Sequence, residues 1–179
     1  MTARRRSAIP LLLAGLMAAG CATQYPAEAY REGEILRFRG AGVSAPARLA
    51  GCGTGRILTK DDPVDGVAVY RCAHGVTAEV WTRSSGWGRP GHAFENARDL
   101  LPGRGADWRI SEAPAAVTAK GQPMAVREAA GPVQTRLWLT PDQADPRVVL
   151  QVAWRTDDAG AQAEAKRVVA VLLKSVEIP

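Results

Sequence analysis

Residues 148 to 178 read "VVLQVAWRTDDAGAQAEAKRVVAVLLKSVEI", and both periods from which a folded domain is built occur in this one stretch. Val148, Leu150, Val152 and Trp154 recur at every second position, which puts them on one face of a strand. From Ala159 to Ser175 the spacing changes: Ala161, Ala165, Val168, Leu172 and Val176 follow at steps of three and four, the period of a helix. Asp157 and Asp158 stand at the junction, where carboxylates complement the positive end of a helix dipole. Val169, Val171 and Leu173 leave that helix a thin polar side, so it is expected to pack broadly across a sheet.

The segments before it fit the same plan. Val133, Thr135, Leu137 and Leu139 share one face of a strand joined to the first across "TPDQADPR", where proline and aspartate mark a loop. "KGQP", residues 120 to 123, is a turn flanked by strands at 117–119 and 124–128. Val76, Ala78 and Val80 alternate with Thr77, Glu79 and Trp81, and Gly66 to Cys72 behaves similarly, with "AHG" between them suited to a hairpin. Gly91 to Leu101 sets Phe94, Ala97 and Leu101 on one stripe and ends at Pro102-Gly103. Hairpins, helix, hairpins and helix in that order predict a single α+β domain, an antiparallel sheet with helices packed on one face.

The quoted stretch is similar to the end of PsbP-type and Mog1-type domains, where a strand enters a final helix that closes on a short "SV" or "SF". This resemblance spans about thirty residues and implies architecture alone, because those domains share no single chemistry. No residue role comes with it.

The amino end decides the compartment. Arg4, Arg5 and Arg6 precede an apolar run from Ala8 to Ala19, without an acidic side chain, which is the pattern of a secretory signal. Its length of about twelve residues falls short of the roughly 20 that a membrane-spanning helix needs. Leu16-Met17-Ala18-Ala19-Gly20-Cys21 resembles the lipobox of bacterial lipoproteins, with Ala18 where Leu is usual. The resemblance implies that Cys21 takes a diacylglycerol, that the chain is cut before it, and that acyl chains hold the product on a membrane. One chain gives marginal attachment, and two or three make it lasting. Ala22, where Asp would signal retention at the inner membrane, implies sorting to the outer membrane, facing the periplasm.

The chain then divides into residues 1–20, a lipoprotein signal peptide; 21–33, a lipid-anchored tether; and 34–179, the globular domain. Removing residues 1–20 takes away three of the 23 Lys and Arg and none of the 18 Asp and Glu, leaving 20 against 18 and a net charge of +2. The basic balance is thus mostly a property of the signal, and the scattered remainder lacks the clustered basic face of a nucleic-acid binder. With Cys21 assigned to lipid, Cys52 and Cys72 remain, and outside the cytoplasm such a pair is expected to form a disulfide. Cys72-Ala73-His74 lacks the second ligand pair of a structural zinc site, so no metal is expected.

Other motifs carry less. "GWGRPG", residues 86 to 91, matches G-x-G-x-x-G between a predicted strand and a predicted helix, but Pro90 removes an N–H from the loop that would cradle phosphate. No cofactor is expected from it. "GCGTG", residues 51 to 55, lacks the lysine of a phosphate loop and reads as a turn that brings Cys52 to its partner. His74 and His92 are the two histidines; no G-x-S-x-G elbow accompanies Ser84 or Ser85, so no catalytic set is assigned. Five tryptophans are present. Trp81, Trp138 and Trp108 fall on the polar sides of their segments, and Trp81 and Trp138 are the candidate recognition surface for an envelope protein or glycan. These readings favour a membrane-anchored, non-enzymatic accessory or binding module. A periplasmic hydrolase, or a small-ligand carrier with an apolar cavity between helix and sheet, are the alternatives.

Overall fold

The computed structural model describes residues 29–58 and 64–179. Cys21 and the signal segment lie outside the described residues. Among the described residues, eleven strands and two α-helices follow one another: β1 (Ala29–Glu32), β2 (Ile35–Phe38), β3 (Val43–Pro46), β4 (Arg56–Leu58), β5 (Gly66–Arg71), β6 (Thr77–Thr82), α1 (Pro90–Asp99), β7 (Arg109–Glu112), β8 (Ala116–Val117), β9 (Pro123–Ala130), β10 (Gln134–Pro141), β11 (Val148–Arg155) and α2 (Ala159–Ser175).

The larger sheet has the order β4-β5-β6-β11-β10-β9-β7, with β8 beside the far end of β9, and its neighbours are antiparallel throughout. The last strand therefore occupies the middle, between β6 and β10. Val148 to Trp154 are all buried, which explains why β-branched and aromatic residues fill it on both sides. Asp158 begins α2: its carboxylate accepts from the Ala161 N–H at 2.9 Å, satisfying one of the first-turn donors that a helix leaves unpaired. The expected hairpin through "AHG" is present as a short 3-10 turn, Ala73–Gly75, between β5 and β6.

A sheet-dominated mixed fold is as expected, but the helices flank the large sheet where packing on one face was anticipated. Ala161, Ala165, Val168 and Leu172 of α2 share a core with Val80, Leu139, Leu150 and Val152. Ala93, Phe94 and Ala97 of α1 share another with Trp81, Trp138 and Val149. Adjacent positions of one strand point to opposite faces, so Leu139 and Trp138 each need a cover of their own. Both faces carry bulky apolar groups, and one helix serves each.

The tether boundary is also corrected. Ala29–Glu32 pairs with β2 and Ala29 is buried in the α2-side core, so residues 29–33 belong to the domain. β1, β2 and β3 form a small antiparallel sheet whose Leu36, Phe38, Val43 and Ala45 join the same core. After α2 the chain returns to this sheet, Ser44 and Glu177 exchanging backbone hydrogen bonds of 3.1 and 2.9 Å.

Candidate functional site

Cys52 and Cys72 are joined by a disulfide with an S–S distance of 2.03 Å. The turn before Cys52 and the end of β5 bring them opposite each other, and the Gly53 N–H donates to Arg71 O at 2.8 Å beside them. This is the expected pair. Its partners in the notional zinc set do not assemble: among the described residues no group of three His, Cys, Asp or Glu side chains could hold a metal ion.

Trp81 and Trp138 do not form a recognition surface. They are 3% and 0% exposed, covered by α1 and by the loop that leads into it. Strand alternation put them on the sheet face opposite the aliphatic one, and that face is a second core. Their polar ends are satisfied inside it. Gln151, 2% exposed, accepts from Trp138 Nε1 at 2.8 Å and donates to Glu79 Oε2 at 3.1 Å, and Glu79 also accepts from Trp81 Nε1 at 2.5 Å. Arg136 reaches Gln151 Oε1 at 3.4 Å and lies over the Trp108 ring, 5.4 Å from its centre. Burial lowers the Arg136 pKa and the Glu79 charge opposes that shift. A buried amide bonded at both ends ties three strands together; it offers nothing to a ligand.

The glycine loop has its own occupant. Gly86 and Gly88 have φ of 69° and 77°, which glycine adopts without penalty. The Gly88 N–H donates to Asp145 Oδ1 at 3.0 Å, and the Trp87 N–H to Pro146 O at 3.1 Å. A side chain at Gly86 would collide with the Asp145 carboxylate. An anion is thus already seated on this turn, and it belongs to the chain.

His74 and His92 are exposed, and neither imidazole makes a hydrogen bond among the described residues. Ser84 Oγ donates to Asp65 Oδ2 at 2.5 Å, while Ser85 Oγ accepts from Arg83 Nε at 3.0 Å. No hydroxyl, imidazole and carboxylate converge there.

What the fold does build is a cleft of about 300 Å³ where α2 leaves the sheet partly uncovered. Val126 and Glu128 of β9, Leu137 and Leu139 of β10 and Trp154 of β11 form its floor; Ala165, Val169, Lys166 and Gln162 of α2 form one wall, and Ala113, Pro114 and Ala116 the other. The volume lies at the lower end of small-molecule sites. A sequence signal for it existed. Met124, Val126 and Glu128 share one face of β9, so a carboxylate stands where the alternation calls for an apolar group. The wall from β7 to β8 could not be read, because those short segments have no period of their own.

No protein-family model matches this chain, and no curated protein matches it. Among the described residues, no helix is long and apolar enough to cross a membrane.

Proposed function

We propose that this chain is an outer-membrane-anchored lipoprotein, facing the periplasm, that serves as a non-enzymatic accessory or binding module of the cell envelope. The observation that supports it most is the pairing of Cys52 with Cys72. Of the three cysteines in the sequence it leaves Cys21, at the lipobox-like site, as the one thiol available for acylation, and structural disulfides suit an oxidising compartment. An envelope protein or glycan partner would have to use a surface other than Trp81 and Trp138. The hydrolase alternative draws no support from the exposed, unbonded histidines.

A second reading, small-ligand binding, is favoured by the cleft between α2 and the sheet, which is the apolar concavity such a role requires. The anchoring is tested by expressing the full chain in a Gram-negative host with a labelled fatty acid. Label on the wild type, absent from Cys21→Ser, and recovery of the wild type with outer membranes are expected. A wild-type product that is unlabelled and freely soluble in the periplasm overturns the proposal.

A further inference from the structure

The cleft holds one charge that its surroundings do not answer. Glu128 is half-buried on the floor, beside Val126 and Leu137, and its carboxylate makes no hydrogen bond or ion pair among the described residues. The elements around it supply no partner. Arg127 and Arg136, its basic neighbours on the sheet, point to the opposite face, where Arg127 pairs with Glu112 at 2.7 Å and Arg136 bonds to Gln151. Opposite it on β7 stands Ser111, exposed. Ala113, Pro114 and Ala116 offer alkyl groups, and from α2 come Gln162 and Lys166, both solvent-exposed where they line the cleft and neither bonded to Glu128. An unpaired carboxylate in an apolar recess is unfavourable unless a cation meets it.

We propose that this cleft binds a small amphipathic ammonium: an aliphatic body lying on Leu137 and Leu139 beneath Ala165 and Val169, with its protonated amine against Glu128. The proposal rests on the small-ligand reading of this chain and names the ligand class. Size and charge both support it. At about 30 Å³ for each water-sized atom, a cavity of about 300 Å³ holds on the order of ten non-hydrogen atoms. The charge that is set among apolar groups is the negative one, whereas Lys166 stands in solvent, where its attraction for an anion is weak.

The test uses the full chain carrying Cys21→Ser, so that no lipid is attached, with its disulfide formed. n-Octylamine, 1-octanol and octanoate are titrated separately by calorimetry at neutral pH. The amine is expected to bind about tenfold more tightly than octanol, as a charge-assisted hydrogen bond requires, and octanoate most weakly. Glu128→Gln should bring the amine down to the level of octanol and leave octanol unchanged. Val169→Trp should abolish binding of all three by filling the cleft, with Ala165→Leu serving if that variant fails to unfold cooperatively. If octanoate binds as well as the amine, or Glu128→Gln keeps the preference for amine, the ammonium assignment is wrong although a small-ligand site survives. If none of the three binds, both fall.

Discussion

Tyr70 is fully buried, and its hydroxyl donates to Pro46 O at 2.7 Å, joining β5 of the large sheet to β3 of the small one. Burial holds its pKa well above the ordinary 10.0. Because the neutral phenol is favoured in the folded state, its contribution is intact below pH 10 and is lost as pH rises from there toward the folded-state value. Unfolding free energy measured across the alkaline range should decline beyond pH 10 by up to about 1.4 kcal/mol per pH unit from this group, and Tyr70→Phe should remove that part of the slope. The amide of Gln151 has a comparable role on the other face. Gln151→Leu strands the Trp138 N–H in the core and should cost about 1–3 kcal/mol in a urea titration; no loss would mean that the indole finds another acceptor. The disulfide was legible from three cysteines and the expectation of an oxidising compartment. Its loss in Cys72→Ser should cost about 3 kcal/mol for a bridge with a sequence separation of 20, measured against the wild type without reductant.

At the scale of elements, α2 illustrates what a pattern in the chain can specify. Its apolar stripe and its acidic start follow from local rules, and the stripe residues inside the helix, Ala161, Ala165, Val168 and Leu172, are the buried ones. Leu172→Ala should destabilise by about 2–5 kcal/mol, since its site is fully buried. Asp158→Ala, which removes the cap, should cost about 1 kcal/mol. Thermal or urea unfolding of the two variants checks both values and their order. The strands with clean alternation, β6, β10 and β11, were readable for the same reason. β1 to β3 were not: each is four residues long, too short to show a period, and they hold together through one another and through Tyr70. Residues 29–33, which look like tether, become structure because β2 lies alongside.

The whole molecule is organised around β11. It comes late in the chain yet stands between the β4–β6 group and the β7–β10 group, so the large sheet cannot close until distant segments meet, a topology associated with slow folding. The sequence by itself determined the two long periods, the acidic start of α2 and the cysteine pair, because each rests on neighbours a few residues apart or on counting. Tertiary structure alone decided which faces are covered. Trp81 and Trp138 sit at positions that alternation marks as outward, and α1 makes them inward; Glu128 sits at a position marked as inward, and the limited reach of α2 leaves it in an open cleft. Burial depends on what arrives from elsewhere in the chain, and the spacing within a strand carries no record of it.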